Sequence, residues 1–434
     1  MTTLQTIKER FRNGQIKQQH LESVIFKEVY GSNPDKVKEA CRDAALLRIE
    51  AVEEVLALEL PSLKSAWIDT CTYAKGEILP GIEMRAGGAV IPLGIAGPVR
   101  ILGEYAQGEF YIPLATNEAA LVAGVQRGIK AINMAGGMKA LVTFDGMSRA
   151  PMIEAPSIEA ARSLCRRIVE DKDLIRELGT QVKDPFVRLE EIEPYQVGTK
   201  VILRMVCKTG DAMGMNGVTK ASADMIRALL KKLPGWKLIT ISSNMCTDKK
   251  ASHINVLRGR GKSVHTEIFL PEEILGKVFK AGVTSRKVEQ VVFHKCYLGS
   301  SLSGTISGFN VNAANTLAAF FAATGQDLAQ IITSAAAFVQ AEAIEGGLHF
   351  MVTMPSLELA TVGGGTAYGT AREALKLLKC DGRGTSPDDN ENVKRLAEIC
   401  AVAVSALELN TACAQAAGYE MADSHVALAR GEKD

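Results

Sequence analysis

Residues 199–216 read TKVILRMVCKTGDAMGMN: an apolar run rich in β-branched residues, a turn carrying two glycines, then the first residues of a helical pattern. Strand, turn and helix follow one another here without an intervening loop. The neighbouring segments extend the alternation. Residues 138–154 and 186–193 have strand character, and Ser157 opens a helix that ends near Leu178. The strand of 199–208 follows, then a helix over about 216–233 and a strand over 236–242.

Strand–helix–strand–strand–helix–strand is the split order of a ferredoxin-like βαββαβ domain, an antiparallel sheet with helices on one face. Residues 150–241 are therefore expected to form a small domain inserted in a larger one. Before it, residues 1–86 read as short amphipathic helices, a helical N-terminal domain closed by Pro61 and Pro80. Residues 87–149 and 252–434 form the large domain, and 242–251 the loop that links it to the insert. Within the large domain, residues 117–135 have helical spacing, and two strands and a helix near 271–281 follow residue 252. A single helix is expected from Ala313 to Ile344, about 45 Å long and apolar nearly all round, hence buried. Two helices, about 388–416 and 418–430, end an α+β chain built around that long helix.

At 434 residues the chain is long enough for two or three domains. With 47% hydrophobic residues, 23% charged and a net charge of +1, its composition is globular and calls for neither nucleic acid nor an acidic membrane surface. Of the nine cysteines no two lie within four residues, so neither redox CxxC chemistry nor a zinc ribbon is indicated. Free structural cysteines in a reducing cytoplasm are the expectation. Residues 296–326 carry no charge, but their serines, asparagines and glycines argue for a loop entering a buried helix and against a membrane span.

Few residues stand out chemically. Asp327 is the only charged or histidine side chain between residues 296 and 341, and a carboxylate placed in an apolar helix needs a partner or a proton. Thr247-Asp248-Lys249-Lys250-Ala251-Ser252 follows an apolar strand and Ser242-Ser243-Asn244; a lysine there can reach a cleft, hold an oxyanion or pair with Asp327. Gly210 to Asn216 leads into a helix whose first N–H groups are free for a phosphate, although it is not GxGxxG. Gly261-Lys262-Ser263 imitates a P-loop, but Val256 stands where the first glycine is required. Glu118 lies at a helix start and His425 near the C-terminus. No HExxH or other metal-ligand spacing occurs, so no metal is expected.

Taken together the segments resemble the 3-hydroxy-3-methylglutaryl-CoA (HMG-CoA) reductase family. They are Ile91 to Pro98, Ala115 to Ala123, Asp145 to Arg149, Gly210 to Asn216, Asp248-Lys249-Lys250, Asn312 to Asn315, Gly325-Gln326-Asp327 and Val362 to Thr366, in family order. Met213-Gly214-Met215 and Asp248-Lys249-Lys250 resemble the class I form, in its soluble archaeal type without a membrane anchor. The resemblance implies reduction of HMG-CoA to mevalonate, with release of CoA and NADPH as cofactor (NADH as the alternative). It also implies a dimer-interface active site, within a tetramer. Lys249 would stabilise the carbonyl oxygen as it gains charge, and Glu118, buried beside Asp327, would supply protons. Asp327 would join both in one cluster, and His425 would protonate the departing thiolate. Arg127, Arg149, Ser242, Asn244, Asp248, Lys250 and Asn315 would hold the substrate. Asp211, Met213, Gly214, Met215, Asn216, Gly363, Gly364, Gly365 and Thr366 would hold the cofactor. The chain departs from the family at Met84-Arg85, Gly124, Gln126 and Asn312, and at Asp184-Pro185, where NADPH-preferring relatives often show Ser-Arg. No serine follows His425 between Val426 and Gly431, so kinase control at that place is not expected.

Overall fold

Hydrophobic segments of the first 92 residues close on themselves. In the computed structural model, which describes residues 3–79 and 81–425 (backbone only for Leu79, Ser424 and His425), residues 1–92 with 367–372 form one compact unit and the remainder a second. The first unit packs the helices Leu4–Arg12, Leu21–Glu28 and Val37–Leu56 around Ile7, Leu21, Ile25, Ala40 and Ala44, beside a hairpin of β1 (Thr72–Ala74) and β2 (Glu77–Leu79). Arg48 grips buried Glu22 with two parallel bonds of 2.6 and 2.7 Å. Arg85, a departure from the family, is itself buried, its guanidinium 4.2 Å over the Trp67 ring. Against the expectation of free cysteines, Cys41 and Cys71 are joined by a disulfide, and the other seven are free.

The second unit is organised by one continuous sheet of ten strands. They are β3 (Leu93–Gly103), β4 (Gln107–Ala115), β5 (Met138–Arg149), β6 (Met152–Glu154), β7 (Arg188–Val197), β8 (Lys200–Lys208), β9 (Lys237–Thr240), β10 (Gly261–Pro271), β11 (Phe338–Ile344) and β12 (Gly347–Leu357). β5 is the shared strand: residues 139–146 pair with β10, and Met147, Ser148 and Arg149 cross over to pair with β8. On one side of that crossing lie β11-β12-β10, with β3 parallel to β5. On the other lie four antiparallel strands in the order β9-β6-β8-β7, with their own core of Leu164, Ile168, Leu203, Met205, Val218 and Met225. The helix expected to end near Leu178 is two, Ile158–Glu170 and Lys172–Gly179, because Asp171 leaves the helical region and caps the second through Leu174 N at 2.9 Å.

The expected long central helix is absent. Helix Ala313–Thr324 stops at Gly325, whose φ of 68° is the left-handed C-cap, and a short helical turn then leads into β11. An apolar run has the same periodicity whether it is a buried helix or a buried strand, and Gly325 is what separates them here. The core helix is instead Glu391–Ala416, whose 26 residues span about 39 Å. It is long and apolar enough to cross a membrane by composition, but 94% of its apolar window is buried inside the protein. Helix Leu121–Met134 crosses it at Gly128, where an added Cβ would lie 1.9 Å from Ala406 O. One strand, β10, and a short helix Ile254–Arg258 stand where two strands were expected. The uncharged loop begins only after a helical stretch from Ser285 to Leu302.

Candidate active site

The loop after β9 has an unusual backbone. Asn244, Thr247 and Lys249 all have φ near +60°, each costing about 1 kcal/mol or more for a residue with a Cβ. Buried Thr247 holds the loop inside by bonds to Asn255 Oδ1 (2.5 Å) and Cys246 O (2.7 Å), and Ser148 Oγ donates to Cys246 O (3.2 Å). Asp248 anchors the other side. Its Oδ1 accepts from Gln330 Nε2 (2.9 Å) and Arg260 (3.2 Å), and its Oδ2 faces Arg149 at 3.7 Å. Burial alone would raise this carboxyl, but the Gln330 bond and the charges of Arg260, Arg149 and Lys249 hold it below the usual range. Lys249, exposed between these anchors, pairs with Asp327 at 3.0 Å. Lys250 turns back to Asp248 O (3.1 Å).

Arg149 leaves the end of β5 towards the same loop. It donates to Thr219 Oγ1 (2.9 and 2.8 Å) and Ser242 Oγ (3.0 Å) and lies 3.6 Å from Cys246 Sγ. Burial works to raise the Cys246 thiol, yet the Asp248 N–H, Ser242 and Arg149 together bring it below its ordinary value. Asn244 is exposed on the loop.

Asp327 is not inside a helix. It follows helix Ala313–Thr324, caps the next turn by accepting from Ala329 N (3.1 Å), and its side chain is 35% exposed. At the other end of that helix Asn315 donates to both Glu118 oxygens, at 2.9 and 3.0 Å. Glu118 is exposed and touches Asn315, not Asp327. The expected single cluster of Glu118, Asp327 and Lys249 is therefore two separate pairs within one chain. Nine residues of helix, 316–324, about 14 Å, lie between Asn315 and the turn that carries Asp327.

Glu118 and Asn315 line a cavity of about 400 Å³ with Arg127, Lys295 and Asn312. Arg127 donates to Asn410 Oδ1 (2.6 Å) and pairs with buried Glu420. Buried Glu408 holds two of the lining residues in place: its oxygens accept from Val311 N and Asn312 N, both at 2.7 Å. Burial lifts its carboxyl to about 7 against the pull of those N–H groups. The departures from the family also have packing reasons. Gly124 lies against Leu407 and Asn410, and Gln126 accepts from Gly97 N at 2.6 Å.

The two candidate cofactor segments are adjacent, since Thr361 N donates to Asp211 O (2.9 Å). The Asp211 carboxylate is buried and consumed, accepting from Gly384 N (2.7 Å) and Val393 N (2.9 Å), so it shapes the loop and does not face outward. Gly214 caps helix Met215–Lys231 with no side-chain bond to its first N–H groups. Asn216 is exposed there, whereas Met213 and Met215 turn inward. Space beside Gly363 and Gly364 is open, and Thr366 closes the turn onto Gly363 O (2.7 Å). Gly365 lies so near Gly325 that a Cβ would come within 2.7 Å of its carbonyl, which sets this loop beside the Asp327 turn. Free helix N–H groups and open glycine backbone suit a nucleotide phosphate.

Arg260, Gln330, Glu358, Lys295 and Glu408 were not singled out by sequence reasoning. Arg260 and Glu358 are a fully buried ion pair, a feature that only folding reveals. Lys262, the P-loop mimic, is buried against Asp145 at 2.7 Å. His425 ends helix Glu420–His425, and its side chain lies outside the described residues, as does the expected helix beyond it. Among the described residues no cluster suited to a metal occurs.

Residues 44–430 match the family model for hydroxymethylglutaryl-coenzyme A reductase. The chain is 39% identical over 429 residues to the 3-hydroxy-3-methylglutaryl-coenzyme A reductase of Pyrococcus abyssi, covering 98% of this chain and 100% of that one. It is 42% identical over 421 residues to that of Aeropyrum pernix, covering 96% and 97%. In fold it is similar to the class II reductase of Streptococcus pneumoniae bound to NADPH, with a TM-score of 0.59 at 17% identity over 85% of this chain and 96% of that one. The chain therefore belongs to the hydroxymethylglutaryl-coenzyme A reductase family.

Proposed function

We propose that this chain reduces HMG-CoA to mevalonate in two steps, with release of CoA, and that Lys249, Asp327, Glu118 and His425 carry the chemistry. Archaeal reductases at about 40% identity over nearly the whole chain support the activity. The single observation that carries the residue assignment is the Lys249–Asp327 pair at 3.0 Å, set beside the Gly363–Thr366 loop. The Gly210–Asn216 and Gly363–Thr366 segments would hold a reduced nicotinamide, which would supply the hydride. Lys249 Nζ donates to the carbonyl oxygen as negative charge develops, and Asp327 keeps that ammonium aimed. Glu118 delivers the proton to the same oxygen, and His425 protonates the CoA sulfur as it leaves. Arg149, with Ser242, Asn244, Asp248 and Lys250 around it, offers a planar fork to the acyl carboxylate. Arg127 and Asn315 serve on the cavity side.

Because Glu118 and Lys249 sit at opposite ends of helix Ala313–Thr324, each reaction centre takes its Glu118 and its Lys249 from two copies of the chain. The assembly is a homodimer that pairs into a tetramer. The chain is read as the class I form on Met213-Gly214-Met215 and Asp248-Lys249-Lys250, and as a cytoplasmic enzyme. NADPH is the favoured reductant. Asp184 spends an oxygen on Phe186 N (3.0 Å), while Arg383 stacks 3.4 Å over the Phe186 ring and brings a guanidinium to the place where Asp184-Pro185 brings none.

The test is the loss of nicotinamide absorbance with purified protein, HMG-CoA and either NADPH or NADH. The expected result is two reduced cofactors consumed per CoA released, faster with NADPH. No HMG-CoA-dependent loss from folded protein with either cofactor overturns the proposal.

A further inference from the structure

Arg260 is fully buried, and its contacts reach four separate parts of the site. Its guanidinium pairs with Glu358, equally buried, and donates to Asp248 Oδ1 (3.2 Å), Gln330 Oε1 (3.4 Å) and Met215 Sδ (2.8 Å). Asp248 precedes Lys249. Gln330 ends the turn that Asp327 caps. Met215 is the first residue of the helix after the glycine-rich loop, and Glu358 follows β12 five residues before Gly363. Gln330 Nε2 also bonds Asp248 Oδ1 (2.9 Å), so Arg260, Gln330 and Asp248 close a triangle.

The charges around this hub balance. Arg149, Lys249 and Arg260 face Asp248, Asp327 and Glu358, three cations against three carboxylates. A buried ion pair adds little net stability compared with apolar residues of the same size. What the planar fork of an arginine adds is direction. We infer that Arg260 is a positioning residue for the reduction: through Asp248 and Gln330 it sets where Lys249 and Asp327 meet, and through Met215 it ties that pair to the cofactor-binding helix. Glu358 is its counter-charge. The inference rests on the proposed role of Lys249.

The test compares Arg260→Lys, the double variant Arg260→Met/Glu358→Met, and Lys249→Met. The first keeps the charge but loses the fork; the second removes both buried charges at once, leaving neither unpaired. In both Arg260 variants kcat falls about 100-fold, the scale of one lost oxyanion donor. The Kd for HMG-CoA, measured by calorimetry, changes less than about threefold, because the loss is in the transition state. Wild-type kcat in either folded Arg260 variant, while Lys249→Met is inactive, overturns the positioning role and leaves Lys249 in place. A loss carried by Kd with kcat kept also overturns it. Wild-type turnover in Lys249→Met removes the role of Lys249 and this inference with it. Should Arg260→Lys fail to fold, the double variant decides.

Discussion

Lys249 is held in a left-handed backbone conformation with its neighbour Asp248 bonded to Gln330 and Arg260, so under the proposed mechanism its ammonium is already positioned before a carbonyl oxygen reaches it. Replacing it by Met should cut kcat by about 100- to 1000-fold with the fold intact, checked by steady-state rates beside a melting curve. Glu118→Gln should abolish the overall reaction and keep CoA-thioester binding, since the amide can still meet Asn315 but has no proton to give; full turnover would remove Glu118 from the mechanism. Cys246 is buried, and its Sγ meets Ser242 Oγ and Arg149. Because a serine hydroxyl can keep both contacts, Cys246→Ser should keep activity within about threefold, and an inactive folded variant would point to a thiol mechanism instead. At this scale the sequence reading that a lysine of the 248–250 loop can pair with Asp327 is matched by the Lys249–Asp327 contact. The sequence was silent about Arg260 and Glu358, because an ordinary arginine after a glycine and a glutamate after a strand look solvated until both are seen at zero exposure.

Helices and strands carry a different kind of evidence. The strand-and-helix alternation from 138 to 242 was legible because each element there is short, amphipathic and bounded by turn residues; the observed elements depart from it mainly at Asp171, where a side-chain cap splits one helix in two, and at Ala150-Pro151, where β5 ends and β6 begins. The run from 313 to 344 is not one helix but a helix, a turn and a strand. Its residues are apolar on every side, so neither period 2 nor period 3.6 distinguishes strand from helix. Gly128, read only as part of a helix, proves to be the crossing point with Glu391–Ala416. Gly128→Ala should destabilise the protein by about 2 kcal/mol or more through overpacking, seen as a lowered denaturant midpoint. Buried Glu408 gives that core a pH dependence. Burial, opposed by the N–H groups of Val311 and Asn312, raises its carboxyl from 4.5 to about 7. The folded state then holds a proton that the unfolded state has lost, so its contribution to stability is complete below pH 4.5 and declines as pH rises to about 7. His265, lowered by burial, opposes this in the same window. Glu408→Gln should flatten the decline; an unchanged slope would exclude Glu408 as its source.

For the whole molecule the separation of Glu118 from Lys249 is the governing fact. If reaction centres are shared between copies, mixing Glu118→Gln with Lys249→Met subunits, each inactive alone, restores about a quarter of the wild-type sites, because half the dimers are mixed and each rebuilds one centre. No recovery after verified subunit exchange would mean that each centre is built within one chain. The order of motifs from Ile91 to Thr366 was enough by itself to identify the family and its reaction, as the family match over residues 44–430 and the archaeal relatives show. Tertiary structure alone decided how the motif residues are grouped. Gly325 ends a helix that hydrophobicity would have continued, and thereby moves Asp327 to a turn beside Gly365. The Arg260–Glu358 pair draws four distant segments onto one guanidinium. Such groupings join residues far apart in the chain through directional bonds in a desolvated interior, and local periodicity has no term for them.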